Sequence, residues 1–418
     1  MALIVQKFGG SSVRDAERIQ SVAKLATDRF DLGDRVVVVV SAMGKTTDRL
    51  VQMAHEITPD PPAREFDMLL ASGEQVSIAL LAMAIQARGY QAISFTGPQV
   101  GIETDRSHGR ARIVHINDTR IRAALGEGKI AIVAGFQGAT ADQEITTLGR
   151  GGSDTTGVAL AAALRADRCD IYTDVDGVYT ADPRDVPDAR RLDAITYEEM
   201  LELASRGVKV LHRRSVELAV NYNIPVRVLS SFEPGPGTLV VKGYEGMENA
   251  IVSGVTANRT ESKITIIGVP DRPGIAAAIF SALGEAEVSV DMIVQNTGLE
   301  GRTDISFTVD HEEHARGRAI AERLVGEIGA LDVQSQEGIA KLSVVGIGMK
   351  SHSGVAAKMF AALAREGISI DMISTSEISI SCLIALDSAE RALRAVHAEF
   401  GLAAPATAAV KTAQGGLS

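Results

Sequence analysis

Met1-Ala2-Leu3-Ile4-Val5-Gln6-Lys7-Phe8-Gly9-Gly10-Ser11-Ser12 opens the chain and reads as a β-strand ending on a lysine and a glycine pair. An amphipathic helix follows, with Asp15 and Glu17 among its early residues and Val13, Ile19, Val22, Ala23 and Ala26 along its apolar face. A strand, two glycines and a helix N-terminus leave a concave row of backbone N–H groups that suits a phosphate, and Lys7 adds a point charge. An ordinary βα turn has the same outline, but the lysine and the initial position in an α/β pattern favour an anion site. The Walker pattern G-x-x-x-x-G-K-S/T is absent from the sequence, which disfavours a P-loop NTPase.

The same alternation continues to about residue 230. Short β-branched runs at 36–40, 130–133 and 171–173 are separated by helical stretches, one of them with Ile78, Leu81, Ala82 and Ile85 on a single face. Pro59, Pro61 and Pro62 break the chain between two helices. Pro234-Gly235-Pro236-Gly237, with Gly243 and Gly246 beyond, suits neither helix nor strand. The expected division is therefore an α/β domain at 1–232 and a Gly/Pro-rich linker at 233–250.

Beyond the linker the sequence repeats itself. Gly274, Phe280, Leu283, Asp291, Met292 and Ile293 recur 80 positions later as Gly354, Phe360, Leu363, Asp371, Met372 and Ile373. Each copy reads as strand (264–269; 342–347), glycine turn, helix, strand (288–294; 368–374), strand (305–309; 380–386) and helix, the βαββαβ order of a ferredoxin-like fold. Two copies are too few for a solenoid. Two domains packed side by side are expected, at 251–335 and 336–412, with a strand at 250–256 available to the second.

Composition narrows the class. The 418 residues include 45% hydrophobic and 23% charged side chains, as in soluble globular domains, and 42 basic against 53 acidic residues give a net charge of −11. That balance argues against a nucleic-acid backbone or an anionic membrane as partner. Cys169 and Cys382 sit in no metal or redox spacing and read as buried thiols in a reducing cytosol. The N-terminus lacks a basic n-region, and the apolar runs at 36–40 and 78–85 fall well short of the about 18 residues a membrane span needs. A cytoplasmic protein is expected. His311-Glu312-Glu313-His314 has a metal-compatible spacing but fits a solvated helix start better, so no protein-held metal is expected.

Two further segments carry chemistry. Thr147-Leu148-Gly149-Arg150-Gly151-Gly152-Ser153-Asp154-Thr155-Thr156 leads into the apolar stretch 158–164. With two glycine loops, one can hold a phosphoryl group while the other presents Arg150 as a carboxylate clamp and Asp154 as an acid near the metal or the phosphates. Ile171-Tyr172-Thr173-Asp174-Val175-Asp176-Gly177-Val178-Tyr179-Thr180-Ala181-Asp182-Pro183-Arg184 is a strand ending in an acidic, Gly- and Pro-punctuated loop, where α/β sheets bind nucleotides.

KFGGSS at 7–12, VVSAMGKTTD at 39–48, SGE at 72–74, TTLGRGGSDTT at 146–156 and YTDVDGVYTADPR at 172–184 together resemble aspartokinase. The resemblance spans essentially the whole chain, since the repeats look like that family's paired ACT domains behind an amino-acid kinase fold. It implies transfer of the γ-phosphoryl group of MgATP, the Mg²⁺ carried by the nucleotide, to the β-carboxylate of L-aspartate, the entry to lysine, threonine and methionine biosynthesis. It assigns catalysis to Lys7 and Asp154. Aspartate binding falls to Ser41, Thr47, Glu74, Arg150, Gly151, Gly152 and Ser153, and ATP binding to Lys7, Phe8, Gly9, Gly10, Thr173, Asp174, Tyr179, Arg184 and Lys209. It further implies lysine and/or threonine as effectors at a pocket between the first copy of one chain and the second copy of another: Asp271, Gly274, Ala276 and Gln295 with Ser369, Ile370, Ser376 and Glu377. Ser369 stands where related enzymes often carry Asn. A homo-oligomer joined through the ACT domains follows, and Met247 offers an internal start for a shorter ACT-only subunit. Alternatives are an amino-acid kinase acting on glutamate, acetylglutamate, UMP or carbamate, against which the GRGGSD segment and the ACT pair argue, and a silent amino-acid sensor, which the intact Lys7, Glu74, Arg150 and Asp154 disfavour.

Overall fold

The first strand, β1 (Leu3–Phe8), is buried at every position, and so is the valine run of the next. Continuous apolar strands of this kind belong to a parallel sheet covered on both faces. The computed structural model describes residues 1–208, 210–244, 251–296, 301–350 and 352–403. They fall into two units, Met1–Val178 with Leu192–Ala250, and Tyr179–Arg191 with Ile251–Ser418.

In the first unit β1 is followed by α1 (Ala16–Asp31), β2 (Arg35–Val40), α2 (Thr46–Ile57), α3 (Ala63–Leu70), α4 (Ser72–Ala87), β3 (Ala92–Phe95), β4 (Ile102–Thr104), β5 (Ile113–Ile116), α5 (Thr119–Gly126) and β6 (Ile130–Ala134). Then come β7 (Gln137–Ala139), β8 (Ile145–Thr147), α6 (Gly152–Leu164), β9 (Arg168–Thr173), β10 (Ala194–Thr196), α7 (Tyr197–Ser205), α8 (Arg213–Tyr222), β11 (Val226–Ser230) and β12 (Thr238–Val241). The main sheet has the order β10-β12-β11-β9-β1-β2-β6-β3, with every pair parallel except β11 and β12. Strand β1 lies between β2 and β9, in register Phe8 to Val40 and Phe8 to Tyr172, so three carboxyl ends open side by side. A smaller sheet, β5-β4-β7-β8, leads into the second glycine loop.

Two expectations change here. The stretch 233–250 is not linker throughout, because β12 joins the main sheet between β10 and β11. Gly237, at φ +68°, makes that return possible: a Cβ there would lie 2.1 Å from the Val228 carbonyl oxygen. The apolar run at 78–85 also proves to be part of a longer helix, since α3 and α4 continue through Ala71 over 25 residues. That helix is long and apolar enough to cross a membrane, yet 56% of its apolar stretch is buried, and Ile78, Leu81, Ala82 and Ile85 pack in the core with Val22, Val38 and Ile132. It packs as a core helix, with Val76 and Met83 on its outer side.

The second unit contains β13 (Gly254–Pro270), α9 (Ile275–Glu285), β14 (Val290–Gln295), β15 (Arg302–Asp310), α10 (His314–Ile328), β16 (Asp332–Val345), α11 (Val355–Arg365), β17 (Met372–Thr375), β18 (Ser379–Ala385) and α12 (Ala389–Glu399). Its strands form one antiparallel sheet, β14-β15-β13-β16-β18-β17. The two copies are therefore halves of a continuous sheet rather than separate neighbours. Residues 254–258 pair with 341–345, while residues beyond 261 pair with β15 and the first half of β16; the register shifts between Asn258 and Lys263 mark the change of partner. The last strand of the second copy thus comes from ahead of the first copy, a permuted βαββαβ. Gly274 and Gly354, 80 residues apart, both stand just before a helix at positive φ, +96° and +91°, which accounts for the repeated glycine.

The repeated aspartates have a reason as well. Lys341 of β16, 1% exposed, lies 2.6 Å from Glu261 and also pairs with Asp291, while Lys263 of β13 lies 2.5 Å from Asp371. Each repeated Asp takes a lysine from the other copy. His311 and His314 both face Glu337, and among the described residues no group of three His, Cys, Asp or Glu side chains could hold a metal.

Residues 179–191 depart most from expectation. They follow β9 in sequence, yet Ala181, Val186 and Ala189 are buried in the core of the second copy with Val255, Met359 and Leu393. Thr180 Oγ1 lies 2.9 Å from His397 Nε2, the Val255 N–H donates to the Thr180 carbonyl at 2.8 Å, and Asp185 pairs with Arg259 at 2.9 Å.

Candidate active site

Lys7 is buried where β1 ends, and its Nζ lies 2.5 Å from Asp154 Oδ1 in the first turn of α6. The pairing follows from topology. The first glycine loop starts at the end of β1, and α6, which packs against β1, places Gly157 so that a Cβ there would lie 3.2 Å from Lys7 Cβ. A Cβ on Gly9 would lie 3.5 Å from Lys7 Nζ, and one on Gly10 would come within 2.9 Å of the Ala42 carbonyl oxygen. Gly10 therefore lets backbone approach where a side chain would block it, while a Cβ on Gly9 would be in ordinary contact with the lysine. Phe8 is buried and stacks on Tyr172 with ring centroids 4.5 Å apart, fixing β1 against β9.

Glu74, in the first turn of α4, is 3% exposed. Its Oε1 accepts from the Ala42 N–H at 3.0 Å, while its Oε2 is buried with no hydrogen-bond partner. Desolvation pushes its pKa up to about 7 against the lowering effect of the Ala42 bond. Ser41 and Thr47 flank that loop: the Ser41 N–H donates to the Phe8 carbonyl at 3.1 Å, and Thr47 sits at the start of α2.

On the opposite arm Arg150 is exposed and forms no ion pair or side-chain hydrogen bond among the described residues. Gly151, at φ +68°, stands directly before α6, and a Cβ on it would overlap the His212 ring at 2.1 Å. Gly152 and Ser153 open the helix, with Ser153 packed against Gly135. His212, which sequence reasoning passed over, has its pKa lowered chiefly by burial, partly offset by Asp154. A lone histidine after Leu211 gave no signal; its closeness depends on the glycine.

At the end of β9 Thr173 Oγ1 donates to Asp174 at 3.1 Å, and Asp174 is exposed. Tyr179 and Arg184 belong to the second unit, where Tyr179 bridges to Arg191 and Arg184 pairs with Asp182 at 2.6 Å. Lys209 lies outside the described residues, as does Met247. Of the effector positions, Gly274 and Ala276 lie at the start of α9, exposed Asp271 receives its backbone support from Gly301, and Gln295 ends β14. Ser369 and Ile370 precede β17, and Ser376 with Glu377 makes the turn into β18, Ser376 bonding Ser379 side chain to side chain at 2.8 Å.

Such a centre, with a buried lysine pinned by an acid, glycine amides, an unpaired buried carboxylate and an uncommitted guanidinium, can bind an α-amino acid beside a phosphate. Sequence and structure comparisons agree with it. The amino acid kinase family model matches residues 2–230, and ACT domain models match 263–328 and 342–400. An aspartate kinase of Pseudomonas putida is 56% identical over 97% of this chain and 99% of its own. The fold is similar to E. coli aspartokinase III in complex with aspartate and ADP, at TM-score 0.80 and 29% identity over 95% of this chain and 99% of that one. It is also similar to the same enzyme in complex with lysine and aspartate, at TM-score 0.74 and 28% identity over 95% and 99% of the two chains. The chain thus belongs to the aspartokinase family, amino-acid kinases that carry ACT domains at their C-terminal end.

Proposed function

We infer that the Lys7–Asp154 centre carries out the phosphoryl transfer of an aspartate kinase: an oxygen of the L-aspartate β-carboxylate bonds to the γ-phosphorus of MgATP, the bond to the β-phosphate oxygen breaks, and ADP and 4-phospho-L-aspartate result. The observation that carries this reading is the pair of uncommitted groups, the buried Glu74 oxygen and the free Arg150 guanidinium. They match the ammonium and the α-carboxylate of an amino acid. Ser41, Thr47 and Ser153, with the backbone of Gly151 and Gly152, complete the acceptor site, while Phe8, Gly9, Gly10, Thr173 and Asp174 line the nucleotide side.

A β-carboxylate with an ordinary pKa near ~4 is ionised at neutral pH, so the nucleophile needs no general base. The barrier is charge: an anion must approach an anion. Lys7 and the Gly10 amide offset that repulsion, Gly9 donates its N–H to the Tyr172 carbonyl at 3.3 Å and so fixes the loop, and Asp154 holds Lys7 in place 2.5 Å away. Mg²⁺ arrives with the nucleotide and adds charge neutralisation at its phosphates.

Regulation in this reading is feedback inhibition by lysine, threonine or both at the ACT pair, with Asp271, Gly274, Ala276 and Gln295 of one chain facing Ser369, Ile370, Ser376 and Glu377 of another. The protein is a cytoplasmic homo-oligomer, and an internal start at Met247 yields a separate ACT-only subunit. Hydroxamate formation from the acyl phosphate tests the reading: L-aspartate turns over and L-glutamate does not. Lys7→Ala lowers kcat by at least ~100-fold with an unchanged circular dichroism spectrum. Near-normal turnover in that variant would sink the role given to Lys7.

A further inference from the structure

Asp67 of α3 is fully buried and belongs to none of the groups described above. Its two oxygens accept from the Gly109 N–H at 3.1 and 3.0 Å, one is 2.8 Å from His108 Nδ1, and the other accepts from Thr147 Oγ1 at 2.5 Å. A buried carboxylate is costly unless such bonds are made, so these groups are drawn together around it. They lie on either side of Gly149. Thr147 is two residues before it, and the Gly109 carbonyl oxygen lies 2.9 Å from where a Cβ on Gly149 would be. Gly149, at φ +76°, is followed directly by Arg150. On the far side Arg214 donates to the carbonyls of Leu148, at 2.5 Å, and Ala111, at 2.9 Å.

We propose that Asp67 is a positioning residue for the acceptor clamp, fixing the Thr147–Arg150 segment through Thr147 and the His108–Gly109 turn so that the Arg150 guanidinium meets the α-carboxylate of aspartate. Asp67 itself touches neither substrate nor nucleotide. The proposal rests on the clamp role given to Arg150 above. Among the described residues the Asp67 carboxylate bonds His108, Gly109 and Thr147 and makes no bond to Lys7, Gly9 or Gly10, so its first effect is on the acceptor side.

The test is steady-state kinetics on the full chain with each substrate varied in turn. Asp67→Asn keeps the size of the side chain, removes its charge and turns one of the two acceptor oxygens into an NH2 donor; it raises KM for aspartate by about tenfold or more and leaves KM for ATP within about twofold. Thr147→Val raises the aspartate KM in the same direction, and Thr147→Ser, which keeps the hydroxyl, restores it. A global packing defect would not separate the two substrates or follow the hydroxyl. Should Asp67→Asn fail to fold by circular dichroism, the Thr147 pair decides. If Arg150→Ala raises the aspartate KM while the Asp67 and Thr147 variants leave it unchanged, the positioning role is overturned and the clamp stands. If Arg150→Ala itself changes nothing, the clamp falls and this proposal falls with it.

Discussion

Glu74 shows how one residue can report ligand binding through its proton. Burial holds its carboxyl near pH 7 against an ordinary value of 4.5, so in the ligand-free protein it is largely neutral below pH 7 and ionised above. An acid with a raised folded pKa costs stability when ionised: the cost is full above about pH 7 and gone below about 4.5, and it amounts to ~3 kcal/mol. The ammonium of aspartate would repay that cost. Two outcomes are expected. The kcat/KM for aspartate falls about tenfold for each pH unit below 7 in the native chain, and Glu74→Gln flattens that limb while lowering kcat/KM at pH 8 by about 100-fold. In thermal melts without ligand, Glu74→Gln is more stable than the native chain at pH 8 and no more stable at pH 5. A pH profile unchanged by Glu74→Gln would remove the residue from the ammonium site.

At the scale of elements, what was legible in the sequence is what has a period or a backbone requirement. The valine run of β2, the glycine pair after β1 and the repeated residues of the second unit each dictate a local conformation: the structure forms a strand at the first, a turn at the second, and at the third a helix (Phe280, Leu283; Phe360, Leu363) followed by a strand (Met292, Ile293; Met372, Ile373). The repeated Gly274 and Gly354 encode a positive φ before a helix, a signal a sequence carries in full. Partners distant in sequence were not legible. Asp67 meets Thr147 across 80 residues, and β12 closes the main sheet inside a stretch whose glycines and prolines read as linker. The permuted strand of the second copy was legible only as a strand at 250–256 available to it; its register against β16 is set by side-chain packing that no period announces. Gly151 predicts as an element as well. Ala at this position would carry both a positive φ and a Cβ overlapping His212, so Gly151→Ala displaces the start of α6 and with it Asp154. Activity falls by about 100-fold, and an intermediate effect of Gly151→Ala equal to that of Gly149→Ala would show that the loop, not the helix start, is what matters. For the ACT pair, Gln295→Ala at the end of β14 abolishes inhibition by lysine plus threonine and leaves uninhibited turnover unchanged; retained inhibition would move the effector pocket elsewhere.

For the whole molecule, the segment 179–191 bears on how the second unit folds. By sequence it lies within the match to the amino acid kinase family, yet its side chains complete the core of the second ACT copy. Thr180 is fully buried, and besides its bond to His397 it donates to the Leu402 carbonyl at 3.1 Å, while Ala189 bridges to Ala403. An ACT-only chain starting near Met247 lacks these residues. Its core would then expose Val255, Met359 and Leu393 and leave His397, a buried imidazole with its pKa lowered by desolvation, without the Thr180 hydroxyl. Such a fragment is expected to melt several degrees below the temperature it reaches once the missing segment is supplied. Adding a synthetic peptide of residues 179–191 to fragment 251–418 should raise its melting temperature in a dose-dependent way, because the peptide binds only the folded form. A peptide carrying Thr180→Val should raise it less, and a scrambled sequence not at all. If the native peptide produced no shift at saturating concentration, the fragment would be folding around a different closure of that core, and a free regulatory subunit would need no surface borrowed from the kinase sequence.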